Sequence, residues 1–451
     1  MTSLWFQSAL LPTGWADAVR VTLQHGVIAA VETGVAPAST DERQALGLPG
    51  LCNVHSHAFQ RGMAGLTERR GGADGDDFWT WREGMYRFRG RRTPDDVEAI
   101  AAQAYAEMLE GGFTRVAEFH YVHHDAAGAA YADPAEMAGR IVNAAEGTGI
   151  GLTLLPVFYA HADFGGVPPT PGQRRFINSV DGFNGVLEAS ARHMRGDATL
   201  GVAFHSLRAA SVEQIAEILQ AGRPGPIHMH ISEQMREVEA CVAAHGARPV
   251  DWLLDNAQVD SRWCLIHATH LSASETERLA ASEAVAGLCP VTEANLGDGV
   301  FPAARFLALG GRFGLGTDSN VMIDAGQELR ALEYAQRLTL QARCVLADEQ
   351  TASVGRRLFD AAVNGGAQAL DQHAGIAVGS GGDIITLDIA RPEFAHRGGD
   401  GLLDSWIFAT RGSAIDTVWR RGVKVVSGGR HRQSDAIAAR YQATLAKLAS
   451  D

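Results

Sequence analysis

A pattern repeated eight times through the middle of this chain constrains its fold more than any other feature. A short apolar, β-rich run ends in polar or reactive residues, and a stretch with helical character follows in most cases. The runs are Leu48–Val54, Thr114–Phe119, Gly151–Phe158, Thr199–Phe204, Pro226–Met229, Trp263–Ile266, Ala284–Pro290 and Arg312–Gly316. Continuous apolar runs of this kind suit strands buried on both faces. The segments Pro94–Glu110, Asp133–Ala145, Ser211–Gln220 and Ser272–Ala281 read as intervening helices, the first with Thr93 as N-cap and Pro94 at its first position. Strands alternating with helices predict an α/β fold with a parallel sheet, and eight units close a (β/α)8 barrel.

The two ends differ from the middle. Ser3–Ala9, Ala18–Gln24, Val27–Glu32, Gly382–Leu387 and Thr417–Val426 are short alternating runs separated by turns. They predict a small β-sandwich domain made from residues 1–47 and 375–451, with a C-terminal helix, beside a catalytic barrel over residues 48–374.

Active sites of such barrels lie at the C-terminal ends of the strands. Reactive residues fall there one run after another: His55 and His57, His120 and Tyr121, Tyr159 and His161, His205 and Arg208, His230 and Glu233, His267 and His270, Glu293 and Asn295, and Asp318. A single strand-end histidine is most simply a satisfied structural residue. A ring of them at equivalent positions points to a site.

The stretch Val54-His-Ser-His57 carries the sharpest signal. Residues two apart on a strand share a face, so the two imidazoles can hold one ion. Imidazole suits zinc, iron, nickel and copper, with zinc the usual hydrolytic choice. Such a site takes about three protein ligands plus water. In Pro226-Ile-His-Met-His230, His228 and His230 share a face, and His230 is nearer the strand end. Asp318 stands at the end of the eighth run, where a carboxylate can touch the metal and accept a proton. Glu233 follows His230 by three residues and can move protons without binding the ion; alone it would read as a helix-terminal carboxylate. His267 can steer the attacking oxygen.

Composition narrows the alternatives. The five cysteines include no C-x-x-C pair, which argues for buried thiols in a reducing cytoplasm and against a zinc deaminase of the P-C-x-x-C class. There is no 18-residue apolar run and no basic start followed by an apolar stretch, so neither a membrane span nor a signal peptide is expected. A net charge of −13 disfavours nucleic acid as a partner. An anionic substrate therefore needs a site built locally, and arginine must build it, because the only lysines are Lys424 and Lys447.

Taken together, Pro49-Gly-Leu-x-Asn-Val-His-x-His57, the His230-x-x-Glu233 element, His267 and Thr317-Asp-Ser319 resemble the amidohydrolase superfamily across almost the whole chain. Members with two metals commonly bridge them with a carboxylated lysine on strand four; here that strand reads Gly201-Val-Ala-Phe-His-Ser206 and has none. The resemblance is instead to the single-metal deaminase branch and implies one divalent ion, taken as Zn2+. Within that branch, Phe78-Trp-Thr-Trp-Arg-Glu83, Val116–His124, His205-Ser-Leu-Arg-Ala-Ala210 and Cys289–Gly299 are similar to the N-formimidoyl-L-glutamate deiminases of bacterial histidine degradation. That likeness implies substrate contacts from Gln60, Arg82, Tyr121, His205 and Arg208. It also implies hydrolysis of a small dicarboxylate amidine to N-formyl-L-glutamate and ammonia. Two guanidinium groups suit two carboxylates, whereas a purine would need stacking and amide-edge contacts. The alternative is a deaminase for a nucleobase or guanidino compound. A homodimer is the expected assembly.

Overall fold

The computed structural model describes residues 2–68, 76–89 and 92–450. Four strands open the chain: β1 (Thr2–Leu11), β2 (Gly14–Gln24), β3 (Val27–Glu32) and β4 (Glu42–Pro49). β1 and β2 form an antiparallel hairpin, and β4 lies parallel on the other side of β1. Nine further segments build the barrel: β5 (Leu51–Ser56), β6 (Phe113–His120), β7 (Gly151–Phe158), β8 (Thr199–Leu200), β9 (Val202–Phe204), β10 (Ile227–Ile231), β11 (Trp263–His267), β12 (Val285–Leu288) and β13 (Arg312–Leu315). All their pairings are parallel, and β13 returns to β5 at Leu315 and Asn53 to close the cylinder. β8 and β9 count as one staggered strand, interrupted at Gly201, where a Cβ would lie 2.5 Å from Pro226 O. Eight-fold closure follows, as the repeat requires.

The C-terminal strands β14 (Ile384–Leu387), β15 (Ile415–Arg420), β16 (Val423–Ser427) and β17 (Arg430–His431) join the N-terminal ones through the β14–β4 pair. The result is one eight-stranded sheet drawn from both ends of the chain. It turns back on itself, so that Phe6 of β1 meets Trp419 of β15 edge-to-face at 6.4 Å. Leu4, Val19, Val21, Leu23, Ile28 and Ile384 complete that interior, which is separate from the barrel core.

The run Leu48–Val54 is two strands rather than one. Leu48 and Pro49 end β4, paired with Ile385 and Ile384, while Leu51 starts the barrel. Gly50 makes the change of sheet: a Cβ there would lie 2.3 Å from Thr114 Cγ2. Hydrophobicity cannot mark this boundary, because both halves of the run are buried, each in a different core. The seventh run likewise ends at Leu288, since Pro290 sits at the first position of the helix Pro290–Leu296.

Among the described residues two α-helices precede β6: α1 (Phe78–Arg89) and α2 (Pro94–Glu110). α2 begins as its sequence demands, with Thr93 and Asp96 in a reciprocal capping box and Pro94 at the first turn. α1 lies over the C-terminal mouth of the barrel, contributing Phe78, Trp81, Arg82 and Met85 to one wall of the cleft there.

Candidate active site

The Nε2 atoms of three histidines converge at the C-terminal end of the barrel. His55 Nε2 lies 3.2 Å from His57 Nε2 and 3.0 Å from His230 Nε2. Asp318 Oδ1 is 3.3 Å from both His55 and His57. All four side chains are buried. The outward nitrogens of two of them are committed: His57 Nδ1 donates to Phe119 O at 3.0 Å and His230 Nδ1 to His205 O at 2.9 Å. Their Nε2 atoms therefore present lone pairs. A proton on His55 Nε2 could satisfy only one of these two neighbours, so the donor set suits a cation. Burial pushes His55 down to about 4 and His57 down to about 3, which keeps the rings neutral and available as ligands. Ligands about 2.0–2.1 Å from a tetrahedral zinc stand about 3.3 Å apart. The spacing here fits that donor set.

His228, the other candidate on β10, lies deeper in the barrel, with Nε2 bonded to Ala369 O at 2.9 Å. It takes no part in the cluster.

Local backbone geometry aims the rim residues. Ser232, His267, Ala268, Asp318 and Asn320 all have positive φ, between 41° and 67°, without being glycine. Each such residue costs of order 1–3 kcal/mol and persists only where surrounding bonds enforce it. They do so here: Ala268 N donates to Ile231 O, His270 N to Ser232 O, His57 N to Asp318 O and Asn320 N to Thr317 O. Behind His55, Gly316 allows β13 to approach; a Cβ would lie 2.8 Å from both His55 Cβ and Cys289 Sγ.

Beside the histidine cluster lies a line of acids and one imidazole. His267 Nε2 is 3.7 Å from Glu233 Oε1 and 3.9 Å from Asp318 Oδ2, and its Nδ1 faces Glu293 Oε1 at 3.3 Å. Burial opposes a charge on His267, but Glu233, Glu293 and Asp318 outweigh it and hold the ring well above its ordinary range. Burial likewise opposes ionisation of Asp318, yet the hydrogen bond to His55 and the positive charge of His267 hold the carboxyl well below the usual range. Glu233 goes the other way. Burial, reinforced by the charges of Asp318 and Glu237, pushes it up to about 7. One carboxyl is thus held ionised and its neighbour is poised to exchange a proton at neutral pH.

The cleft above these groups has a volume of about 530 Å³, open to solvent. Gln60, Arg82, Tyr121, His205 and Arg208 all line it, together with His57, His230, Glu233, His267 and Asp318. Gln60 Nε2 donates to Tyr121 Oη at 3.2 Å. Arg208 is 6% exposed, and its Nε has no hydrogen-bond partner among the described residues. Tyr159 and Glu293 back the cleft, against His205 and His267 respectively, and other members of the strand-end ring stand elsewhere. His120 packs on His123, His161 lies near the loop glycine Gly166, His270 Nε2 bonds Asp298 O, and Asn295 bonds Glu68.

Two acids escaped the sequence reading. Asp298 lies with Glu233 and His267 in a group whose ligand atoms fall within 4.8 Å of one another, and burial pushes it up to about 9. Glu237 receives the backbone N–H groups of Ser232 and Glu233, both at 3.3 Å, and so fixes the loop that carries Glu233. Neither has a motif of its own; the available signal for Glu237 was its spacing of four residues after Glu233.

The barrel, the split β sheet and the strand-end cluster together define a class, and comparison with known proteins agrees. Residues 47–425 match the profile of the amidohydrolase family, and the chain belongs to that family. Residues 1–45 match the profile described as formimidoylglutamate deiminase HutF, N-terminal domain. The chain is 49% identical to the formimidoylglutamate deiminase of Pseudomonas aeruginosa over 99% of its own length and 100% of that relative. A crystal structure of an amidohydrolase from Brucella melitensis is 51% identical, with a TM-score of 0.96 over 100% of both chains. A zinc-bound adenosine deaminase from Xanthomonas campestris superposes with a TM-score of 0.80 over 100% of this chain and 99% of that one, at 20% identity, a likeness of fold.

Proposed function

We propose that this protein hydrolyses N-formimidoyl-L-glutamate to N-formyl-L-glutamate and ammonia, using one divalent metal ion, zinc, held by His55, His57, His230 and Asp318. The observation that carries the reading is that His57, His230 and Asp318, with His55 behind them, share one cleft with two guanidinium groups, Arg82 and Arg208. The full-length likeness to the deiminase of P. aeruginosa supports it. The same reading takes residues 48–374 as the catalytic unit, residues 1–47 and 375–451 as the β domain, the cytoplasm as the compartment and a homodimer as the assembly.

When bound, the metal supplies a nucleophile from water at neutral pH and polarises the amidine. The side chains do the rest. Arg208 and Arg82 grip the two carboxylates through planar, charge-assisted hydrogen bonds. Gln60, Tyr121 and the neutral His205 line the path of the stem. His267, charged, donates a hydrogen bond that orients the attacking oxygen. Asp318, ionised, accepts the proton released by the attacking water. Glu233 carries protons to the terminal nitrogen of the amidine. The carbon–nitrogen bond to that nitrogen breaks, ammonia leaves, and the formyl group stays on the glutamate nitrogen.

The test is ammonia release from N-formimidoyl-L-glutamate, N-formimidoyl-glycine, guanine and adenosine. Glycine in place of glutamate removes one carboxylate. A charge-assisted bond is worth about 1.5–3 kcal/mol, so kcat/KM should fall by about tenfold or more. Arg208→Ala should shrink that difference. Faster turnover of guanine or adenosine would overturn the assignment of substrate.

A further inference from the structure

The helix Pro290–Leu296 leaves β12, the strand that lies between β11 and β13 in the barrel. It supplies no group to the reaction assigned above. Yet two consecutive side chains on it reach the two groups that handle the attacking oxygen. Neighbours on a helix point about 100° apart, so one turn can serve the strands on both sides. Glu293 faces His267 at the end of β11. Its Oε1 receives the N–H of Cys289 at 2.9 Å and lies 3.3 Å from His267 Nδ1. An oxygen that already receives an N–H acts as the acceptor, so Nδ1 donates and Nε2 is the nitrogen left to work in the cleft. Thr292 faces the loop after β13. Its Oγ1 donates to Thr317 O at 3.2 Å, stands 3.0 Å from Ser319 Oγ and receives the N–H of Ser319 at 3.4 Å. Those two residues flank Asp318. Thr292 and Glu293 are buried, and neither lines the cleft. Glu328, also buried, holds the helix from behind, its Oε2 accepting the N–H of Val291 at 2.9 Å.

We propose that Thr292 and Glu293 are positioning residues of the hydrolysis: as a bracket between β11 and β13 they fix the gap between His267 and Asp318. Glu293 holds the imidazole at Nδ1, and Thr292 holds the backbone on either side of Asp318. The proposal rests on the roles given above to His267 and Asp318, not on the identity of the substrate. His267 Nε2 and Asp318 Oδ2 stand 3.9 Å apart. That gap is too wide for a direct hydrogen bond and suits one oxygen that receives a hydrogen bond from the first and gives one to the second. Both residues have positive φ, 67° at His267 and 41° at Asp318, so each needs outside contacts to keep its place. A misplacement of about 1 Å at reacting groups can cost about 10²-fold in rate.

The experiment uses the full-length, metal-loaded protein and the variants Glu293→Gln, Glu293→Asp, Thr292→Val and Thr292→Ser. Ammonia release is measured with whichever of the four compounds above the wild type turns over fastest. Neither residue lines the cleft, so the loss should fall on kcat. Glu293→Gln is expected to lower kcat by about 10²-fold with KM within about twofold of wild type. Thr292→Val keeps the shape and removes the hydroxyl; kcat should fall about tenfold, the lower end for an outer hydrogen-bond partner. Glu293→Asp and Thr292→Ser should recover part of each loss, because carboxylate and hydroxyl return. A second readout needs no turnover. In nitrogen NMR of the histidine-labelled holoenzyme, the ring signal that disappears in His267→Gln should show a hydrogen-bonded Nδ1–H, which shifts in Glu293→Gln and not in Thr292→Val. The proposal is overturned if Glu293→Gln and Thr292→Val both keep kcat within about twofold. It is also overturned if the Asp and Ser variants recover nothing, which would leave only packing, or if metal content falls in step with kcat, which would make the helix a support of the ion site alone. Should Glu293→Gln fail to fold, Thr292→Val and Thr292→Ser decide the question. Faster turnover of guanine would sink the substrate assigned above and leave the bracket standing. Wild type that turns over none of the four would sink the reaction, and His267 without an Nδ1–H would end the bracket independently.

Discussion

At the scale of single residues, environment rather than residue type separates the acids of this site. Asp318 and Glu233 line the same cleft, yet one is held ionised by histidines and the other is pushed up to about 7 by burial. Glu233→Gln keeps the shape and removes the exchangeable proton. Turnover should fall by about 10²–10⁴-fold, the usual contribution of a general acid–base group, with metal content and melting temperature unchanged. Near-normal kcat would make Glu233 a loop carboxylate. A second acid tests the pH dependence of stability. Glu118 on β6 accepts the backbone N–H of Ala58, at 2.8 Å, and burial pushes it up to about 8. An unfolded glutamate ionises near 4.3, so the folded state keeps a proton that the unfolded state sheds. That contribution to stability is full below about pH 4.3 and is lost progressively as pH rises to about 8. Glu118→Gln keeps the acceptor and removes the titration. Thermal melts from pH 5 to 8 should show a flatter decline for the variant, and parallel curves would refute this account.

At the scale of elements, the site depends on how closely strands approach. The chain leaving β13 passes behind His55 because Gly316 has no side chain. Gly316→Ala would push a methyl group into His55 and Cys289, an overpacking that typically costs about 1–3 kcal/mol. The expected result is a lower melting temperature together with weaker metal retention, because the displaced residue is one of the cluster. A variant that melts earlier but keeps its metal would show that the strands part without moving His55. Legibility also divides by element. α2 could be read to the residue, because the Thr93–Asp96 box and Pro94 are local chemistry. The change of sheet at Gly50 could not, because it depends on Thr114, sixty-four positions later in the chain.

At the scale of the whole molecule, the proposed ligands tie together strands that are far apart in sequence. His55 lies near the end of β5, His230 lies on β10 and Asp318 follows β13. An ion that binds only the assembled cluster stabilises the fold by mass action. Metal analysis should give about one equivalent per chain, and chelation should lower the melting temperature with recovery on adding zinc back. Two equivalents, both needed for activity, would refute the single-ion reading.

What the sequence determined by itself follows from periodic and local signals. Eight apolar runs closing in polar residues specify the barrel and its reactive rim, and residues two apart on a strand must share a face, which pairs His55 with His57. The absence of lysine before position 424 removes the carboxylated-lysine bridge whatever the fold. Tertiary structure alone decided the rest, because distances between remote segments leave no local trace. It brought His230 into the cluster and left His228 bonded to Ala369. It set His120, His161, His270 and Asn295 apart from the cleft although they stand at the same rim. It placed Asp298 beside Glu233 and brought Arg82 and Arg208 into one cleft. Each of these outcomes depends on which side chains share a buried volume, a quantity that exists only once the barrel has closed.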